Sequence, residues 1–277
     1  MIKVGIIGYG NMGQAIGERI KDKYAVCAFD KIKNIVSENI NVAYNLAELV
    51  KQSEIIILAV KPQDFGLLLN EIKLFIKDRL IISIAAGVTT KYISSQLGEK
   101  TRIIRVMPNL PAKIGKGMIC LCKGKHAHKK DLDFTKEIFE CMGKIVVINN
   151  EEMMNDVTAV SGSGPGFFFD YIEKQKIDYH HLSPKIKKDF DDSLAKSLVD
   201  LKNNWSLDSA LVLARATTAG SIALIQATGL TPWELKKQVT SKGGTTAAGL
   251  KVLRGKQENL SKAVKAAVKR AKELSKE

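Results

Sequence analysis

The sequence predicts an α/β domain over residues 1–150 followed by an all-helical domain over residues 151–277. Three observations carry this reading. Short apolar runs alternate with amphipathic stretches through the first half, a glycine-rich turn directly follows the first run, and the β-branched runs disappear after about residue 150. Continuous Ile/Val runs separated by helices belong to strands buried on both faces, hence to a largely parallel sheet.

Ile2–Ile7 reads as a buried strand, followed by a glycine turn and a helix through Ile20. Tyr24–Phe29 is a second strand, Ala47–Lys51 is helical, and Ile55–Val60 is an almost unbroken apolar strand. Leu67, Leu68, Ile72, Phe75 and Ile76 have helical spacing; Leu80–Ala85, Arg102–Val106, Met118–Leu121 and Ile145–Ile148 complete the strands. The boundary falls near Asn149–Asn150, where a turn precedes Glu151 and Glu152, acidic residues suited to a first helical turn. Beyond it, Ser193–Lys202, Asp208–Ala227 and Glu258–Leu274 are helix-like. In the last, Leu260, Val264, Ala267, Val268, Ala271 and Leu274 form one apolar stripe with Lys on the other side. The polar segment Lys174–Asp192 reads as a helix–turn–helix excursion or a loop.

The 277 residues carry 43 Lys and Arg against 29 Asp and Glu, a net charge of +14. With 45% hydrophobic and 26% charged residues, disorder and a disulfide scaffold are excluded. Of the basic residues only seven are Arg, and the Lys are spread over the whole chain. Readers of nucleic acid lean on Arg, so the charge fits attraction of a small anionic substrate or cofactor better. No apolar run approaches the roughly 20 residues of a membrane span, and the N-terminal run enters a glycine turn rather than a cleavage site. Cys27, Cys120, Cys122 and Cys141 form no C-x-x-C pair and read as reduced thiols of a cytoplasmic protein. No metal site is expected: His180 and His181 are adjacent, without completing ligands, and His126 and His128 sit in a Lys-rich stretch that reads as a solvated loop.

Gly8-Tyr9-Gly10-Asn11-Met12-Gly13 is a G-x-G-x-x-G motif between a strand and an amphipathic helix. Gly8 permits the tight turn, Gly10 lets the backbone approach a pyrophosphate, and Gly13 allows close helix–strand packing. The helix N-terminus offers unpaired N–H groups to the phosphates. This is the Rossmann dinucleotide fingerprint. Asp30 ends the second strand where a ribose-binding acid belongs, while Lys31 and Lys33 beside it suit a 2′-phosphate; NAD and NADP stay open at this turn. Ala59-Val60-Lys61-Pro62-Gln63 and Ser83-Ile84-Ala85-Ala86-Gly87 end two further strands along the same crevice, though a plain β–α turn gives similar residues.

In the second half, Ser161-Gly162-Ser163-Gly164-Pro165 and Thr240-Ser241-Lys242-Gly243-Gly244-Thr245-Thr246 each join hydroxyls and flexible backbone to a following helix. That combination grasps a carboxylate with N–H and O–H donors, and a capped helix start is the plainer alternative. There is no obvious Ser-His-Asp or Cys-His arrangement and no P-loop. Hydride transfer to an already electrophilic C=N⁺ carbon needs little acid–base help.

Together these motifs, with Arg105-Val106-Met107-Pro108-Asn109-Leu110-Pro111-Ala112 and Val239–Leu250, resemble the pyrroline-5-carboxylate reductase family, in family order and across nearly the whole chain. The resemblance implies a Rossmann domain followed by a helical dimerisation domain, often within a ring of dimers. It implies reduction of Δ1-pyrroline-5-carboxylate to L-proline, the last step of proline synthesis, with NADP(H), NAD(H) being the alternative. By the match, Ile7, Gly8, Tyr9, Gly10, Asn11, Met12, Gly13, Asp30, Lys31, Asn45, Ala59, Val60, Lys61, Pro62, Ile84, Ala85, Ala86, Pro108 and Asn109 hold the cofactor. Ser161, Gly162, Ser163, Gly164, Gly244, Thr245 and Thr246 receive the substrate, and the Thr246 hydroxyl meets the ring nitrogen. The chain departs from the family at four places. Lys242 replaces a proline, Pro165-Gly166-Phe167 stands for Pro-Ala-Tyr, the stretch between Ile172 and Arg215 is longer and more polar, and Arg215 stands where the family commonly has Gln. A reductase of another small anionic imine or hydroxyacid, and a non-catalytic NAD(P)-binding relative, are the competing readings.

Overall fold

The computed structural model describes residues 1–201, 204–254 and 259–275. The ends of two expected helices, Lys202 and Glu258, lie outside the described residues. The chain divides into two compact units: Met1–Val106 with Leu121–Glu151 and the C-terminal end, and Met107–Cys120 with Glu152–Glu273.

The first unit is α/β. Its elements are β1 (Lys3–Ile7), α1 (Asn11–Ile20), β2 (Ala25–Phe29), β3 (Ile40–Val42), α2 (Leu46–Gln52), β4 (Ile55–Leu58), α3 (Phe65–Ile72), β5 (Leu80–Ser83), α4 (Thr90–Leu97), β6 (Arg102–Met107), β7 (Gly117–Lys123), α5 (Lys129–Phe139) and β8 (Gly143–Ile148). The unit boundary falls inside β7. The sheet order is β3-β2-β1-β4-β5-β6-β7-β8, and the pairs from β3 to β6 are parallel. Ile56, Ile57 and Leu58 of β4 are fully buried, as an unbroken apolar strand in a doubly covered sheet requires. Each such side chain contributes about 1.5–3 kcal/mol on leaving water.

Register levels the strand ends. Phe29 pairs with Ile7, Ile7 with Leu58, and Leu58 with Ser83. The next residue on each strand is therefore Asp30, Gly8, Ala59 or Ile84. Four separate sequence motifs thus arrive at the carboxyl ends of four adjacent strands, the edge where doubly wound sheets bind ligands.

Several elements differ from the sequence reading. β3 was not expected: it has three residues, two of them exposed, too short for a pattern. α3 ends at Ile72, with Phe75 and Ile76 beyond it, because Lys73 closes the helix and a turn follows. His128 is exposed yet belongs to no plain loop; its backbone N–H donates to Asp131 Oδ2 at 2.8 Å and opens α5.

The second unit is helical: α6 (Met154–Val157), continued by a π-helical turn over Thr158–Gly162, then α7 (Gly164–Lys174), α8 (Pro184–Val199), α9 (Leu207–Thr228), α10 (Pro232–Val239), α11 (Thr245–Leu253) and α12 (Leu260–Leu274). Lys174–Asp192 resolves into the end of α7, a connection, and the start of α8 with Ser183 as cap and Pro184 at its first position. α9 has the length and apolarity of a membrane-spanning helix, contrary to the reading that no run approaches that length. Half of that stretch is buried inside the unit, against α7, α8 and the Leu110–Ile114 turn. Gly220 makes the last contact possible: a β-carbon there would stand 2.3 Å from the Lys116 carbonyl oxygen.

Candidate functional site

At the carboxyl edge of the first unit's sheet, the glycine motif has the geometry its spacing implies. Gly8 has φ +93°, and a β-carbon on it would lie 2.8 Å from the Ala59 carbonyl. A β-carbon on Gly13 would lie 2.0 Å from the Gly8 oxygen, so helix and turn can pack this tightly only with glycine. Gly10 faces open space, with nothing within 4 Å of its missing side chain. It caps α1 without a side-chain acceptor, and no acid stands in the first turn. Free N–H groups and the positive end of α1 are left to an anion, which is the fit a dinucleotide pyrophosphate requires.

Asp30 serves this loop directly. Its Oδ2 accepts from the Tyr9 N–H at 2.6 Å, and its Oδ1 accepts from the N–H groups of Ile32 (2.9 Å) and Lys33 (2.8 Å). Burial opposes ionisation at Asp30, but the three backbone donors and the Lys33 charge outweigh it, and the carboxyl sits below its ordinary value. Lys33 Nζ donates to Gln14 Oε1 at 2.8 Å, and Lys31 is exposed. Tyr9 is buried, and its hydroxyl is pushed up to about 12 by burial and by the Glu18 carboxylate. Asn45 caps α2, its Oδ1 accepting from the Glu48 N–H at 2.9 Å. Val60, Lys61 and Pro62 continue from Ala59, and Ala85 and Ala86 from Ile84, so the structure gathers all these positions at one edge.

The second unit gathers another group. Ser163 Oγ and Thr245 Oγ1, 82 residues apart, share a hydrogen bond at 3.0 Å. The two hydroxyl-bearing loops are therefore one structure. The π-helical turn closes through the Ser163 N–H, which donates to the Thr158 carbonyl at 2.9 Å. Ser161 is fully buried, and its Oγ has no partner among the described residues. In the second loop, Gly243 has φ +71°, and its carbonyl accepts from Arg270 Nε at 2.7 Å. α11 starts after Gly244 with no side-chain cap, leaving its first N–H groups open, and Thr246 in its first turn is buried.

Asn109 and Pro108 also lie in this second unit and are buried. Asn109 Nδ2 donates to the Ser161 carbonyl at 3.1 Å, and its Oδ1 accepts from the Met118 N–H at 2.9 Å. Both ends of this amide are engaged with protein backbone. Sequence reasoning missed this role, and it missed Arg270.

It also missed a polar cluster in the first unit. Arg105, almost fully buried in β6, pairs with Glu151 at 3.2 Å, and the Glu151 carboxylate accepts from Thr90 N–H (2.8 Å) and Oγ1 (2.5 Å). A charged residue amid Ile103, Ile104 and Val106 was the available signal. Among the described residues, no three His, Cys, Asp or Glu side chains gather as a metal site.

A family model described as pyrroline-5-carboxylate reductase dimerisation matches residues 192–275, and one described as NADP oxidoreductase, coenzyme F420-dependent, matches residues 3–87. The pyrroline-5-carboxylate reductase of Methanosarcina acetivorans is 35% identical over 99% of this chain and 97% of its own length. The chain belongs to the pyrroline-5-carboxylate reductase family. The family member from Arabidopsis thaliana is 33% identical over 99% of this chain and 95% of its own. Among solved structures, the Plasmodium falciparum pyrroline carboxylate reductase with NADP bound matches with a TM-score of 0.65 and 28% identity, over 99% of this chain and 98% of that one. The fold expected from the sequence, a Rossmann-like sheet domain followed by a helical domain of the dimerisation type, is the one found.

Proposed function

We propose that the protein reduces Δ1-pyrroline-5-carboxylate to L-proline with NADPH. The observation that carries this reading is the Ser163–Thr245 hydrogen bond, which joins the family's two substrate motifs into one cradle of hydroxyls and helix N–H groups. A small cyclic imine with one carboxylate needs few contacts. The open N–H groups at the start of α11, with Ser163 and Thr245, receive the carboxylate. The Thr246 hydroxyl, one residue on, meets the ring nitrogen and holds its proton. The protonated imine carbon is electrophilic without further activation, so the protein's work is binding and orientation.

Gly8, Gly10 and Gly13, with Tyr9, Asn11 and Met12, hold the cofactor pyrophosphate at the head of α1. Bound there, the nicotinamide supplies the hydride. Asp30 spends its carboxylate on the backbone of its own loop, and Lys31 and Lys33 beside it offer positive charge to a 2′-phosphate. This supports NADPH over NADH. Ile7, Asn45, Ala59, Val60, Lys61, Pro62, Ile84, Ala85 and Ala86 line the remainder of the cofactor's path. The four free thiols suit a reducing cytoplasm, and the protein works as a homodimer through its helical unit.

The test is NADPH and NADH oxidation measured side by side on adding pyrroline-5-carboxylate, with proline identified as product. The reading expects turnover with a clear NADPH preference. Protein that binds NADPH yet forms no proline overturns it.

A further inference from the structure

α7 and α11 meet through two glycines that receive each other's side chains. A β-carbon built on Gly166 of α7 would stand 2.6 Å from Thr246 Cγ2 on α11, and 3.0 Å from Val239 Cγ2. Reciprocally, a β-carbon built on Gly249 of α11 would stand 2.4 Å from Phe167 Cζ on α7. Thr246 and Gly249 are three residues apart on one helix, so they share a face. The Thr246 methyl fills the space over Gly166, and the Phe167 ring fills the space over Gly249. This interlock leaves no room for a methyl group at residue 166 while Thr246 keeps its present arrangement.

Threonine carries its methyl and its hydroxyl on the same carbon. In a helix its χ1 divides between two rotamers, and changing from one to the other moves both groups together. The space over Gly166 thus chooses the rotamer, and with it the direction of the hydroxyl. We propose that Gly166 is a positioning residue for the reductase reaction: by lacking a side chain it seats the Thr246 methyl and thereby aims the Thr246 hydroxyl. This rests on the reading that Thr246 meets the substrate nitrogen. An alanine at residue 166 is incompatible with the present setting of Thr246.

The experiment is a double-mutant cycle on the full-length protein. Turnover number, KM for pyrroline-5-carboxylate, NADPH Kd and melting temperature are compared for wild type, Gly166→Ala, Thr246→Ser and Gly166→Ala/Thr246→Ser. Serine keeps a hydroxyl and removes the methyl that collides. Gly166→Ala should lower kcat by about tenfold or more in the wild-type background, the scale of a misplaced catalytic contact, with NADPH Kd unchanged. In the Thr246→Ser background the same change should cost less than about threefold, so the coupling is visible as a ratio. The tight contact with Val239 is common to both backgrounds and cancels. If Gly166→Ala does not fold, the comparison of Thr246→Ser with the double variant still decides: a folded double variant as active as Thr246→Ser supports the proposal. Equal losses in both backgrounds, or full kcat in Gly166→Ala, overturn it. Thr246→Ala separates the proposal from its premise. If that variant turns over like wild type, the role of Thr246 fails, whereas a slow Thr246→Ala beside a fast Gly166→Ala defeats Gly166 alone.

Discussion

Asn109 holds Ser161 by its backbone. The side-chain amide donates to the Ser161 carbonyl at 3.1 Å, while its oxygen accepts from the Met118 N–H at 2.9 Å, and the residue is 3% exposed. A buried side chain used at both ends sets the position of the loop that carries Ser161 and Ser163. Asn109→Ala leaves a carbonyl and an N–H unpaired in the interior, at a cost of about 1–3 kcal/mol each. The expected outcome is a lower melting temperature and a raised KM for pyrroline-5-carboxylate, with NADPH Kd unchanged. A selective loss of NADPH affinity would return Asn109 to the cofactor.

Asp30 gives the stability a defined acid dependence. Its ordinary value is 3.8, and in the folded protein it lies lower. A depressed carboxyl contributes stability that is fully present above the unfolded value and is lost as pH falls through the folded one. Asp30→Asn should therefore lower the melting temperature at pH 7 and flatten its fall below about pH 4. Because the carboxylate braces Tyr9 of the glycine loop, Asp30→Ala should also weaken NADPH and NADH together. An effect on NADH alone would place Asp30 on the ribose instead.

Arg105 and Glu151 form an ion pair in which the Arg side chain is 2% exposed. Burial lowers the Arg105 guanidinium below its ordinary value, and Glu151 opposes that shift by favouring the charged form. Its Nε and Nη2 groups find no partner among the described residues, so the pair carries an unmet desolvation cost. Glu151→Ala strands the buried cation and should destabilise by about 3–5 kcal/mol. The double variant Arg105→Met/Glu151→Gln should melt well above Glu151→Ala, because glutamine keeps an acceptor for Thr90. Equal melting temperatures for the two would show that the charge is not the issue.

Arg270 braces the loop that precedes α11. Lys242 leaves that loop without a fixed φ, and Arg270 Nε ties the next carbonyl, that of Gly243, at 2.7 Å. Arg270→Ala should raise KM for pyrroline-5-carboxylate several-fold, about the 1–1.5 kcal/mol of one hydrogen bond, with little change in kcat. Arg270→Lys should not restore it, since the donor is the guanidinium Nε. Restoration by lysine would reduce the contact to simple charge.

What could be read in advance follows from the physics of each feature. The strands β4 and β5 announce themselves because a doubly covered strand must be largely apolar, as Ile55–Leu58 and Leu80–Ile82 are. The glycine motif was legible because Gly8 and Gly13 answer steric demands that no other residue meets. β3 was not, since three residues carry no period. α5 was hidden by its Lys-rich start, although Ile138 and Phe139 bury their side chains. Long-range contacts left no trace at all. Nothing local links Ser163 to Thr245, Asn109 to Ser161, or Gly166 to the methyl of Thr246. The substrate motifs could be named from resemblance, but their joining is a property of the folded helices.

The central claim is that the hydroxyl at the start of α11 serves the substrate rather than the cofactor. The most direct measurement compares wild type with Thr246→Ala for kcat with pyrroline-5-carboxylate and, separately, for NADPH Kd by fluorescence titration. The account predicts a kcat lower by about 10²-fold, the scale of one lost proton-holding contact, with NADPH Kd within twofold of wild type. Preserved turnover with collapsed NADPH affinity would contradict it.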